Sequence, residues 1–509
     1  MIWENTTNWI TFFILVHSIN LKLMKRIFFA LAAFLFTCLV SGQNLPEGFN
    51  CSTIIVGKDA SASGHVLVGH NEDDGGTQVV NFYKSQPSDF PPDKIVLKNG
   101  AVVERESSAF AGIWLEMPGQ DFADSFLNGN GVLITSNSCP SRERYGEIVD
   151  GGIGYNLRKI VAERAESARH GVELAGELVS RLGYSASGRT YTIADTEEAW
   201  MLSVVRGKHW VAMRIPDKHV VYLPNFYIIR EIDFEDDENY MYSEGLKEYA
   251  QTRGWYDPSG GEFSFRDAYG NPRSAESMSN TGRMWTGVNM LSSGKYDPDD
   301  EMPVSFVPSR LLAIDDLITV LRNHYEGTEL DDSELYTVHN PHQNKVMNIC
   351  AGHQQTSFVA EMRHGLPVEI GCRLWIAPRR GCVHAYMPVY YGLEEFPVSF
   401  RYFDDSRRAY EMHFSVPGDM YSRSDDRAWW SFMEVTDFID EDYEKRIGER
   451  RVFIKRLQDE YYELAEEFDN TIIEQWKTDK EEALKDISQF SNMIFEKALE
   501  SNTEYMGNK

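Results

Sequence analysis

Residues 51–74 read "CSTIIVGKDASASGHVLVGHNEDD". The runs "CSTIIVG" and "HVLVGHNED" are apolar and rich in β-branched residues, and "KDASASG" between them is a turn of small polar residues. That pattern predicts a β-hairpin. Cys51 stands where the polar "QNLPEGFN" gives way to the first strand. The second strand ends on His70, Asn71, Glu72, Asp73 and Asp74. In an antiparallel pair the end of strand two lies beside the start of strand one, so this polar cluster is expected within reach of the Cys51 thiol.

Working outward, "AFAGIWLEM" and "GVLITSNS" continue the strand character. "YNLRKIVAERAESARHGVELAGELVSRL", from Tyr155 to Leu182, has helical spacing and one amphipathic face, which predicts a single long helix. "TYTIADTEEAWMLSVVRGKHWVAMRI" then gives strands with a turn at Asp195 to Glu198. Ile232 to Pro308 is rich in Gly, Ser, Asp and Tyr and reads as an irregular insertion. "SRLLAIDDLITVLRNHYEG" predicts a helix with Ser309 as N-cap and Gly327 ending it. A second β region is expected from Val346 to about Phe414, and a charged helical tail from Tyr443. Strand pairs, helices and strand pairs again point to layered α and β in one large domain with a helical end.

The N-terminus is a targeting segment rather than part of the fold. Met24-Lys25-Arg26, the apolar "IFFALAAFLFTCLV" and the small "SGQ" read as a signal peptide over residues 24–42. Residues 1–23 are then a start-site artefact and 43–50 a propeptide. A rival reading joins "WITFFILV" to the second apolar run as a membrane anchor. The remainder carries no uninterrupted apolar stretch of about 18 residues, so the mature chain is expected to be exported, periplasmic or extracellular, without a stable membrane span. Of the six cysteines, Cys38 leaves with the signal. Cys51, Cys139, Cys350, Cys372 and Cys382 stay, an odd number that suggests a free thiol. Cys372 and Cys382 flank "RLWIAPRRG", two short strands around a turn, where a bridge and plain burial are both open. With no Cys-x-x-Cys and no His-Glu-x-x-His, no metal and no cofactor are expected.

Cleavage between Asn50 and Cys51 would place a thiol and a free α-amino group on one residue. Their unperturbed pKa values are about 8.5 and about 8, so the neutral amine can take the thiol proton near neutral pH without a histidine. Asp73 could hold the ammonium form by charge-assisted hydrogen bonds.

Residues 51–74 also resemble the mature start of the cysteine dipeptidases of the N-terminal-nucleophile hydrolase superfamily, the dipeptidase A type related to secernins. "NGNGVLITSNS", "YTIADTEEAWMLSVVRGKHWVAMRIPD", "LPNFYIIREIDFED", "MNICAGHQQTSFVAEMRHGLPVEIGCRLWIA" and "RAWWSFMEV" extend the likeness in order from Cys51 to about Leu464. The resemblance implies an α+β fold, a four-layer αββα sandwich, with a catalytic domain over 51–442 and a helical extension over 443–509. It implies a propeptide removed by self-cleavage and hydrolysis of dipeptides. It makes Cys51 the nucleophile and Asp73 the residue that orients the amine. Asn137 falls at an oxyanion position, and Asn225 at the asparagine that holds amine or substrate. His70 stands where distant bile-salt hydrolases and penicillin V acylases carry Arg, which leaves that site's electrostatics open. His70, Asn71 and Arg230, the last near Asn225, are the substrate-facing candidates.

Composition narrows the partners. With 78 acids against 50 bases the formal charge is −28, which disfavours nucleic acid, whose affinity comes mostly from Lys and Arg on phosphates. Dipeptides are the expected ligands, and the helical tail leaves a homo-oligomer open. The alternatives are an amidase for N-acyl amino acids or bile salts, and a surface protein that keeps the fold without the chemistry.

Overall fold

The hairpin forms with β1 at Ser52–Val56 and β2 at Val66–Asp73, paired antiparallel from Ser52↔Asn71 through Thr53↔His70 to Val56↔Leu67. The structure is a computed structural model that describes residues 51–73, 79–87, 94–104 and 109–507. The expected start-site artefact 1–23, signal peptide 24–42 and propeptide 43–50, with Cys38 and Asp74, lie outside the described residues.

Further strands follow in chain order: β3 Asn81–Ser85, β4 Lys94–Val96, β5 Val102–Glu104, β6 Gly112–Glu116, β7 Ser125–Asn128, β8 Leu133–Ser138, β9 Tyr184–Ala194 and β10 Ala199–Gly207. Then come β11 Trp210–Arg214, β12 Val220–Leu223, β13 Tyr240–Tyr242, β14 Gln354–Met362, β15 Cys372–Pro378 and β16 Met387–Tyr390. One sheet runs β12-β1-β2-β14-β15-β16 and the other β13-β11-β10-β9-β8-β7-β6-β3, while β4 and β5 form a separate ribbon. Every pairing of these strands is antiparallel. Both hairpin strands are internal to their sheet and buried at every residue, so both faces are covered and the sequence reads as apolar runs rather than a strict alternation.

Side-chain alternation sorts the second sheet into two faces. Ile113, Leu133, Met201 and Val205 enter a core shared with the first sheet. Trp114, Ile134, Trp200, Leu202 and Val204 point the other way, into a core with Ile160, Val172 and Val179. Those last three lie on α1, Asn156–Arg164, and α2, Ala168–Leu182. The outer face of the first sheet is covered by α4, Ile314–Leu321, which packs on β2 and β14. Helix, sheet, sheet and helix give the expected α+β four-layer order.

The long helix expected from Tyr155 to Leu182 is two helices. Ser167 caps the second by accepting from the His170 N–H, and the Asp195 carboxylate accepts from Ala168 N–H at 2.6 Å, which ends one helical ladder and starts another. The helix expected from Ser309 begins only at Ile314. Ahead of it, Leu312 N–H bonds Ala60 O and Ser309 N–H bonds Leu291 O, so that backbone is committed to its neighbours. The helix stops at Leu321, and Gly327 sits in the following turn at φ +77°. The second β region ends at Tyr390, short of Phe414.

The segment read as irregular carries α3, Met278–Leu291. Its glycines conceal it, because glycine lowers helix propensity. One is required by packing: a Cβ on Gly287 would stand 2.1 Å from the Tyr222 ring. The close approach seats α3 against β12, beside the start of β1. At the C-terminus α5, Ala428–Glu441, α6, Tyr443–Thr478, and α7, Lys480–Gly507, pack on one another, with α6 and α7 against β16. Among the described residues, no helix is long and apolar enough to cross a membrane.

Candidate active site

The register of the hairpin decides which side chains share the nucleophile's face. Thr53 pairs with His70 and Ser52 with Asn71, so Cys51 and Thr53 look the same way as His70 and Glu72, toward β8. Asn71 looks the opposite way, toward α4. Cys51 Sγ donates to Glu72 Oε1 at 3.1 Å. Glu72 Oε2 meets His70 Nε2 at 3.1 Å, and His70 Nδ1 meets Thr53 Oγ1 at 2.8 Å. Thr53 donates to Asn137 Oδ1 at 2.6 Å. Asn137 Nδ2 gives its two hydrogens to Cys51 O at 3.0 Å and Leu223 O at 2.9 Å.

Donor counting fixes the protons along this chain. Because Asn137 Nδ2 is spent on carbonyls, Oδ1 is the acceptor and Thr53 must donate. Thr53 then accepts from His70 Nδ1–H. Each amide and hydroxyl in the chain is committed, and Asn137 acts on the Cys51 main chain as a clamp joining β8 to β1 and β12.

The Cys51 thiol is pushed well above its ordinary range by burial first, then by the Glu72 and Asp73 carboxylates, with partial relief from the Asp73 main chain and the Arg189 guanidinium. No imidazole among the described residues hydrogen-bonds this sulfur. Burial likewise lifts Cys139 and Cys372 to about 12, so neither is poised to react. The five described cysteines are all free thiols, and a Cys372–Cys382 bridge is therefore absent.

The other wall of the site comes from α3. Arg283 is fully buried, and its Nη1 donates to Cys51 O at 2.8 Å and Ser52 Oγ at 3.2 Å. Its Nη2 donates to Asn225 Oδ1 at 2.9 Å and Asn280 Oδ1 at 2.7 Å. Tyr222 OH also donates to Ser52 Oγ at 2.8 Å. Asn225 Nδ2 is buried and has no acceptor among the described residues, while its oxygen is pinned by the guanidinium. The guanidinium that holds Cys51 O therefore also orients a buried amide donor, the kind of group an acyl-transfer site needs for a developing oxyanion.

Sequence reasoning missed Glu72 as the sulfur's partner, Thr53 as a relay and Arg283 as the anchor. Strand alternation was the available signal for the first two; Arg283 had none, lying in a segment read as irregular. Arg230 is placed elsewhere, pairing with Glu301 at 2.6 Å near the surface. Asn71 donates to Leu321 O and Ile349 O, both at 2.9 Å, and accepts from Ser357 at 2.6 Å. It ties α4 to the sheet and does not face the sulfur.

Comparison with known proteins adds to this geometry. The pattern of peptidase family C69 matches residues 138–455. A probable dipeptidase B of Lactococcus lactis subsp. lactis (strain IL1403) is 26% identical over 486 residues, spanning 91% of this chain and 96% of that protein. A probable dipeptidase of Latilactobacillus sakei is 28% identical over 348 residues, 64% of this chain and 71% of that one. The solved penicillin V acylase from Agrobacterium tumefaciens shares 9% identity, with a TM-score of 0.32 over 67% of this chain and 86% of that one. At that score the likeness says nothing of individual residues.

Proposed function

The chain belongs to peptidase family C69, and we propose that it is an exported dipeptidase acting through an N-terminal Cys51 exposed by removal of residues 43–50. The observation that carries this reading is the sulfur's company: it donates to a carboxylate, Glu72, at 3.1 Å and has no histidine base among the described residues. A thiol held this far toward its protonated form needs a base of its own, and the α-amino group of a cleaved Cys51 supplies one. The dipeptidase names of relatives spanning most of the chain support the substrate class.

The amine takes the thiol proton and the thiolate attacks the peptide carbonyl. Asn225 Nδ2 receives the oxyanion, with Arg283 fixing its side chain from behind. The ammonium returns the proton to the departing amino acid as the C–N bond breaks and a thioester forms. Water, losing a proton to the same amine, then cleaves the thioester and restores the thiol. Asp73 steadies the ammonium, and Asn137 together with Arg283 holds the Cys51 carbonyl so that its sulfur and nitrogen stay in register.

Intact-mass analysis of active enzyme tests the reading. A chain starting at Cys51 is expected, and an active chain that starts ahead of it contradicts the mechanism. A panel of dipeptides against N-acyl amino acids and conjugated bile acids tests the substrate; faster turnover of the amides would favour the amidase reading.

Glu72 makes a pH prediction. Its charge favours the protonated thiol and, by the same sign, the protonated amine. Glu72→Gln removes that charge, so in the processed enzyme the acid limb of kcat/KM should move to lower pH. The iodoacetamide labelling rate of Cys51 against pH should shift the same way, and an unmoved labelling curve would show that Glu72 exerts no such field.

A further inference from the structure

Far from the hairpin in sequence, four potential metal ligands converge. His324 follows α4, His342 and Cys350 lie in the segment before β14, and Cys382 lies in the loop after β15. One donor atom from each falls within 4.8 Å of all the others. All four side chains are buried. His324 Nε2 stands 3.1 Å from His342 Nε2, and His342 Nε2 stands 3.6 Å from Cys382 Sγ. Zinc bonded to nitrogen at about 2.05 Å and sulfur at about 2.3 Å in a tetrahedron would set N···N near about 3.3 Å and N···S near about 3.5 Å. These two edges already have about that length, and the remaining donors lie within 4.8 Å.

The surroundings are those of metal-binding imidazoles, which turn their second nitrogen to a carboxylate. His324 Nδ1 faces Glu326 Oε1 at 3.1 Å, and His342 Nδ1 faces Asp440 Oδ1 at 3.6 Å. Arg380 also contacts both His342 Nδ1 and Asp440. In a metal-bound form the Nδ1–H turns to Asp440 while Arg380 keeps its other nitrogen on that carboxylate. Tyr443, the first residue of α6, closes the site edge-on against His342, with ring centroids 5.4 Å apart.

We propose that His324, His342, Cys350 and Cys382 bind one zinc ion in a closed site of two imidazoles and two thiolates. That donor set selects a borderline-soft ion with no geometric demand of its own, and four protein ligands leave no position for substrate, so the role is structural. Asp440 belongs to α5 and Tyr443 to α6, so the ion would fasten the C-terminal helices to the end of the sheet. The proposal does not depend on the reaction at Cys51. No two ligands sit in a short spacing motif, which is why no metal is expected from the sequence alone.

The test uses the full purified chain. Elemental analysis after dialysis against zinc and then metal-free buffer should give one zinc per chain, and cobalt exchange should give the thiolate-to-cobalt charge-transfer and tetrahedral ligand-field bands of a site with two cysteine ligands. Glu326→Gln, which keeps all four ligands, should weaken zinc about 10–100-fold in competition with a chromophoric chelator. The Cys350→Ser/Cys382→Ser double variant should lose the cobalt thiolate bands if it folds. The proposal is overturned if non-reduced peptide mapping of the native protein shows a Cys350–Cys382 disulfide. It is equally overturned if the reduced chain takes up no stoichiometric zinc while both thiols stay open to alkylation.

Discussion

Cys51→Ala is expected to lower dipeptide hydrolysis by at least about 10⁴-fold, the scale on which removing a covalent nucleophile acts, and to leave residues ahead of position 51 attached. Both losses follow from one deletion. In the proposed mechanism the sulfur attacks the substrate and, in self-cleavage, the bond that precedes it. The fold should survive. Cys51 gives its neighbours a single S–H donor, to Glu72, and the main-chain carbonyl that Asn137 and Arg283 hold is unchanged by the substitution. A loss of about 1–2 kcal/mol in a denaturant melt is the expected cost of the small void and the vacated carboxylate contact. Mass spectrometry reads the processing, a coupled amino-acid assay reads the turnover, and the melt shows that neither result comes from unfolding. Hydrolysis at the wild-type rate by the alanine variant would remove Cys51 from the chemistry altogether.

The hairpin was legible because it is a local pattern: two β-branched runs about a small-residue turn admit few alternatives. Its polar end was legible as a cluster but not by role. Proximity in sequence gave Asn71 a part and Glu72 none, whereas the period of two turns His70 and Glu72 to the sulfur's face and Asn71 away from it. Arg230 shows the same limit, since five residues of separation from Asn225 say nothing about which way each side chain turns. Arg283 was hidden more deeply. Its helix holds Gly282 and Gly287, which lower intrinsic propensity, and Gly287 is what lets it seat against Tyr222. That is a tertiary cause, outside any window of sequence. The two-helix break at Ser167 lies between these cases: its cap is local, but an unbroken apolar period hides it.

Arg283→Met should cost both stability and turnover, and the two losses can be separated. The guanidinium serves four acceptors in this site: Cys51 O, Ser52 Oγ, Asn225 Oδ1 and Asn280 Oδ1. A thioether serves none of them, and leaving buried acceptors unmade costs about 1–3 kcal/mol each, less whatever rearrangement recovers. A drop of about 3 kcal/mol or more in unfolding free energy is therefore expected. The catalytic loss should act through Asn225, whose oxygen is released, so that the amide can rotate away from the place proposed for the oxyanion. Removing one oxyanion donor costs about 10²–10³-fold in kcat, and Asn225→Ala should show that fall with little change in KM. Combining the substitutions distinguishes positioning from bulk destabilisation. If Arg283 works by holding Asn225, the double variant should turn over little slower than the worse single variant, because both remove the same donor. Losses that multiply, in protein shown by melting to be folded at the assay temperature, would mean that Arg283 acts on the reacting atoms by a route independent of Asn225, with the Cys51 carbonyl as the contact to pursue.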